Sequence, residues 1–331
     1  MNQLNIIAKP FGCAGALLGA ILYMIAPLAH AEIKLGVNDW PGYIAWYIAE
    51  QKGFFKQRGA NVKLVWFDTL TQSVDDFAAG KIDANAQTWN DTLVHISKGV
   101  PLKVILAIDY SSGADALMVT PKIAKLGDLK GKKVGLEQGT IAQFILGTAL
   151  SKVGLTEKDV QLVNLPAGDA TAAFLDGKLD AAAVWNPFVN QIQESRKGRP
   201  LFSSKDMPGM VADVLAVHEK SLQDKRAEYL GMVRAWYDVE KFLRDHREEA
   251  VKIMATIVKQ APENYRIFLP GVRFLNEKDN LDAFAAASNP RSLTKVSPAI
   301  IKFLNDTKLI QGNVNFAPAL DASLVQEATK R

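Results

Sequence analysis

One phrase occurs twice in this chain. Residues 77–91 read FAAGKIDANAQTWND, and residues 174–188 read FLDGKLDAAAVWNPF. Each copy runs Phe, two residues, Gly-Lys, an aliphatic, Asp-Ala, a short small or apolar run, then Trp-Asn. That order describes a helix ending on glycine and turning into a strand. The likeness extends upstream. In the first copy a strand is expected over 32–38, a helix over 43–51 stopped by Gly53, a strand over 61–67, a helix over 71–79 stopped by Gly80, and a strand over 82–87. The second copy repeats it: strand 133–137, a helix from Gly139-Thr140 to about Lys152 stopped by Gly154, strand 160–165, helix 169–175 stopped by Gly177, strand 179–184. Two β-α-β-α-β units imply an α/β chain of two lobes, each a parallel sheet with helices on both faces.

The segments between and after the copies suggest how the lobes connect. Residues 104–109 and 115–120 read as strands before the second copy, and 210–218 as a strand after it. The chain is therefore expected to leave lobe one near Thr120 and return near Val211, giving a two-stranded hinge. From about Ser221 the apolar spacing becomes helical, which suits a C-terminal part that completes lobe one. The expected division is 1–31 leader, 32–120 first part of lobe one, 121–211 lobe two, and 212–331 return to lobe one with C-terminal helices. Asp39 is expected to cap the first helix, with Pro41 in its first turn.

The first residues read differently. Lys9 is the only charged side chain before Glu32, and an apolar run ends in Ala29-His30-Ala31. This is the pattern of a secretory signal peptide cleaved after Ala31; an uncleaved membrane anchor is the alternative, and a lipoprotein built on Cys13 lacks the usual aliphatic residue before the cysteine. Cleavage removes the chain's single Cys, so no disulfide is expected. It also removes one of 39 basic residues and none of 35 acidic ones, leaving 38 − 35 = +3. So small an excess does not suit a nucleic-acid binder. No later segment is apolar and long enough to span a bilayer, so stable membrane insertion is not expected after cleavage.

Certain stretches resemble a known family: 36–43 (GVNDWPGY), 49–55 (AEQKGFF), 77–83, 128–135 (DLKGKKVG) and 180–187. They are similar to the periplasmic solute-binding proteins of ABC importers, in the nitrate, taurine and aliphatic-sulfonate group. The resemblance covers essentially the whole mature chain. It implies a monomer of the two-lobed type II periplasmic-binding-protein fold, working in the periplasm. Such a protein closes by its hinge on a small solute and delivers it to an ABC permease with a cytoplasmic ATPase.

Ligands of open α/β sheets bind outside the carboxyl ends of the strands. That rule selects Asp39, Trp40 and Tyr43 after the first strand, Trp89 and Asp91 after the third, and Asp109 and Asp115 around the first crossing. In lobe two it selects Glu137, Thr140, Trp185 and Asn186, and at the return strand Asp213. Acids outnumber bases in this set, which holds no Arg or Lys. Aromatic walls beside carboxylates suit a cationic or zwitterionic nitrogenous solute: a guanidine-, amine- or urea-like compound, or a taurine-like zwitterion. A helix start at Gly139-Thr140 could also offer donors to an anion.

Other roles stay open for several of these residues. Trp40 and Tyr43 could pack the first helix, Asp91 could cap a helix beginning at Thr92, and Asp109, Asp115 and Asp213 could hold the hinge. Trp46, Trp66 and Trp236 are expected in the core. Scattered His residues and the lack of a nucleophile elbow, P-loop or metal-ligand spacing speak against catalysis, cofactor or metal. The alternatives are an enzyme on the same fold, of the thiamine-pyrimidine-synthase or dehydratase kind, and a binding protein that serves a sensor.

Overall fold

The computed structural model describes residues 32–289 and 291–330. The expected leader, its cleavage site and Cys13 lie outside these residues. Among the described residues the strands are β1 (Ile33–Val37), β2 (Val62–Trp66), β3 (Ala84–Thr88), β4 (Leu102–Ser111), β5 (Asp115–Val119), β6 (Lys133–Leu136), β7 (Gln161–Asn164), β8 (Ala181–Trp185), β9 (Arg199–Ser203), β10 (Ala212–His218) and β11 (Val272–Phe274). They form two sheets, ordered β11-β4-β10-β3-β1-β2 and β7-β6-β8-β5-β9.

The repeated phrase has a physical reading. Phe77 and Phe174 end equivalent helices, Leu70–Ala78 and Ala167–Leu175, and are buried. Gly80 and Gly177 follow at φ +71 and +74, the left-handed conformation that stops a helix and suits glycine. The repeated Asp then stitches the end of each unit to its beginning. Asp83 accepts from the Lys34 amide through Oδ2 (2.9 Å) and gives its own amide to the Lys34 carbonyl (3.0 Å). Asp180 does the same with Lys133, at 3.0 Å for both bonds. β1 pairs in parallel with β2 and β3, as β6 does with β7 and β8.

Two expectations are corrected at the crossings. The sheets are mixed, because each crossing strand joins antiparallel: β10 lies between β3 and β4, and β5 lies between β8 and β9. The chain changes sheet between Ser111 and Asp115, not after Thr120, since β5 already pairs with β8. It returns between β9 and β10. Ser204 ties the two passages together, its Oγ lying 2.8 Å from Ser111 Oγ and accepting from the Gly113 amide at 2.6 Å.

The C-terminal half does more than complete lobe one. Helix Arg226–Asp245 packs Trp236 on Trp46, ring centroids 4.8 Å apart, and both are wholly buried as expected. Helix Leu293–Asp306 touches both lobes. Its Ser297 Oγ accepts from Trp89 Nε1 (2.9 Å), and its Phe303 meets Phe144 of lobe two edge-on at 4.8 Å. Trp66 is not core. It stands on the edge strand β2, 39% exposed, with Nε1 donating to Asp68.

Candidate functional site

The site is built where strands of both sheets end toward the seam between the lobes. After β1 the chain turns on Asn38, whose Oδ1 accepts from the Trp40 amide at 3.0 Å. This turn does the work expected of Asp39. The first helix, Pro41–Ile44, has no side-chain cap, and Asp39 instead reaches across the seam to accept from Trp185 Nε1 at 3.2 Å. Trp40 Nε1 points inward and donates to Asp109 at 3.1 and 3.3 Å. The Tyr43 hydroxyl donates to Asp213. Gly42 lies against the Asp109 carboxyl so closely that an added Cβ would sit 1.7 Å from Oδ2.

Asp109 and Asp213 are directly opposite on β4 and β10, so their carboxyls share one face of the sheet, and Asp109 raises Asp213 by its charge. Asp115 opens β5 beside Trp185 of β8, its register partner. Its amide donates to Ser111 Oγ, and its Oδ2 is buried without a partner. Trp40, Tyr43, Asp115, Trp185 and Asp213 line one cavity together with Asn38, Leu70, Thr88, Ile141 and Val211. Residues of both lobes line it. About 20 Å³ remains for the centre of a water-sized sphere, room for a single water. Asp109 does not line the cavity but lies wholly buried behind Trp40.

The electrostatics of this floor are one-sided. None of the lining residues is basic, and none of Asp39, Asp91, Asp109, Asp115 and Asp213 is ion-paired among the described residues. Burial pushes Asp39 up to about 6, Asp91 and Asp109 up to about 7, and Asp115 up to about 8. Burial and then the neighbouring Asp109 hold Asp213 well above the usual carboxylate range. Desolvation disfavours the charged form wherever no opposite charge compensates it.

Other expected residues lie elsewhere. Trp89 is wholly buried in the first turn of helix Trp89–Ser97, bonded to Ser297 and edge-on to Phe316, away from the cavity. Asp91 caps no helix at Thr92. The helix starts earlier with Thr88 as its cap, whose hydroxyl accepts from the Asp91 amide (3.0 Å) and donates to Asp91 Oδ2 (2.7 Å). Asp91 faces a second cavity of about 160 Å³ at the seam, shared with Thr71, Thr140 and Lys98.

Glu137 is a link between lobes. Its Oε1 accepts from both the amide and the hydroxyl of Thr71, at the start of helix Leu70–Ala78, while Oε2 is buried and unpartnered. Thr140 caps helix Ile141–Ser151. Asn186 reaches across to donate to the Phe268 carbonyl at 3.3 Å.

The residues missed in the sequence carry recognisable signals. Asn38 follows β1 and Thr88 ends β3. Leu70 and Ile141 begin helices that aim at the seam. Val211 precedes the return strand.

Residues 40–250 match the family model described as NMT1/THI5 like. A Brucella abortus (strain 2308) protein named only for binding is 28% identical over 299 residues, spanning 88% of this chain and 84% of its own. A Haemophilus influenzae protein named for thiamine biosynthesis is 28% identical over 237 residues, spanning 69% and 74%. Among solved structures, the alkanesulfonate-binding protein SsuA of Xanthomonas axonopodis, bound to MOPS, superposes with a TM-score of 0.74 at 20% identity, over 88% of this chain and 99% of that one. The last shows a shared two-lobed α/β fold. The family match covers more than half of the 331 residues, and the chain belongs to the NMT1/THI5-like family.

Proposed function

We propose that this chain is the solute-capturing component of an ABC importer, exported to the periplasm, and that it closes its lobes on a small nitrogenous solute carrying positive charge. The observation that carries the ligand class is the cavity floor: Asp115 with a free buried oxygen, beside Asp213 and Asp109, under Trp40, Tyr43 and Trp185, with no basic lining residue. Buried carboxylates without counter-charge are costly, and a cation removes that cost. Aromatic faces add cation–π attraction. Contacts from both lobes make closure depend on the solute.

The relation to binding proteins supports capture over catalysis, and the permease with its ATPase is the partner this role requires. A zwitterion is the second reading. It is favoured by the seam cavity, where Lys98 and the helix start at Gly139-Thr140 share a lining with Asp75 and Asp91.

Fluorescence titration tests the reading, because Trp40 and Trp185 line the cavity. Guanidinium, amine, urea, taurine and alkanesulfonate compounds should separate by charge, the cations quenching or shifting the emission at the lowest concentrations. A response to sulfonates with silence from every cation would overturn the ligand class.

A further inference from the structure

Two acids at and behind the cavity wall share one dry site. Asp109 and Asp213 stand opposite each other in antiparallel register and are 0% and 2% exposed, and the charge of Asp109 raises Asp213. Two ionised carboxylates so close and so buried repel each other, and one proton shared between them relieves the repulsion. The surroundings hold this arrangement in place. Trp40 Nε1 donates to both oxygens of Asp109, and the Tyr43 hydroxyl donates to Asp213 Oδ1. Gly42 makes room for the Asp109 carboxyl, since a Cβ there would sit 1.7 Å from Oδ2.

The titratable groups that face the pair are Tyr43 from the turn after β1, Asp91 from helix Trp89–Ser97 and Asp115 from β5. No Lys, Arg or His among the described residues acts on either carboxyl. Among the surrounding groups only the Trp40 and Tyr43 donors favour the ionised forms, and burial outweighs them on both carboxyls.

We propose that solute capture is an exchange, in which a solute cation settles against Asp115 and Asp213 as the proton shared by Asp109 and Asp213 leaves to solvent. The exchange rests on the proposed function and narrows it. A substituted ammonium or guanidinium replaces the charge that the proton supplied and offers N–H donors to the freed oxygens. A neutral urea-like solute supplies no charge and leaves the proton where it is. The raised carboxyls support a proton that is resident at neutral pH, with Asp213 held well above the usual carboxylate range by burial and then by Asp109. Affinity for the cation then falls as pH falls, so an acid medium favours release.

Calorimetric titration of the full chain with methylguanidinium, methylammonium and urea tests this, at pH 5.5, 7 and 8.5 and in two buffers of different ionisation enthalpy. The expected result is release of at least one proton per cation bound at pH 7 or below, a second coming from Asp115 where it is protonated, with the dissociation constant weakening at least about tenfold per pH unit toward acid. Urea should bind more weakly and show no proton release. Cation binding with no proton release and a flat pH profile overturns the exchange and leaves the proposed function standing. No cation binding at any pH overturns both.

The proton itself is read independently of any solute, by carbon-13 titration of the aspartate carboxyls in the unliganded chain. Besides the transitions of Asp91 and Asp115, one assigned to the Asp109–Asp213 pair should lie above pH 6, and Asp213→Asn should change that transition and leave the Asp91 transition in place. Ordinary titration of every aspartate overturns the proposal, even where the variant fails to fold.

Discussion

Asp115 is the residue on which the site turns. Its Oδ2 is buried, unpartnered and at the cavity wall, whereas Asp91, an equally acidic neighbour in the sequence reading, is already held by Thr88. Asp115→Asn should weaken binding of a cationic solute by about 1.5–3 kcal/mol, the worth of a hydrogen bond to a charged partner. Asp91→Asn should cost only about 0.3–1 kcal/mol, through its place in a helix first turn. Calorimetry on the two variants should therefore rank them clearly; equal losses would put Asp91 in the site as well. Gly42→Ala places a Cβ 1.7 Å from the Asp109 carboxyl. It should lower Tm by several degrees and abolish binding, which thermal melts with and without solute would show.

Elements set which parts of this were legible in advance. The repeat disclosed both β-α-β-α-β units, because glycine stops and the strand-opening Asp83 and Asp180 are local signals with local causes. The crossing at 111–115 was misplaced because β5 reads as a strand whichever sheet it joins; only pairing with β8 assigns it. Short strands β9 and β11 gave no period to detect. The strand-end rule selected Trp40, Tyr43, Asp115, Trp185 and Asp213, which line the candidate cavity. It could not tell that Trp89 turns away into a helix and toward Ser297, since that depends on a segment some 200 residues distant.

The same blindness hid the role of Glu137. It takes the amide and hydroxyl of Thr71, so an acid of lobe two sits at the start of a lobe-one helix. Glu137→Ala should leave the melting of the lobes nearly unchanged while speeding solute release, with an affinity loss of about 1–3 kcal/mol. Stopped-flow dissociation checks this, and an unchanged off-rate would make Glu137 incidental to closure.

At the scale of the molecule, the closed lobes seal several acids from water without a counter-charge. Stability must then depend on pH in a direction opposite to that of an ordinary salt-bridged protein. The native state holds protons on Asp39, Asp91, Asp109 and Asp115 that the unfolded chain gives up near pH 4. Their contribution is therefore full below that pH and lost as pH rises through about 6 to 8. His95 runs the other way. Burial pulls it down to about 4, so its contribution is present above about 6.5 and lost toward 4. Between pH 6.5 and 8.5 the acids act alone, and the Tm of the unliganded chain should fall across that interval. A bound cation should restore it most at the alkaline end. A Tm that rises from 6.5 to 8.5 would mean that these carboxyls are solvated in solution.

The central claim is that the closed cleft is built to hold positive charge. It is tested most directly by identifying what the cleft carries when the chain is purified without denaturation. Mass spectrometry of the released small molecule should find a nitrogenous species that is positively charged at neutral pH. A sulfonate, nitrate or other net anion in that position would contradict the account.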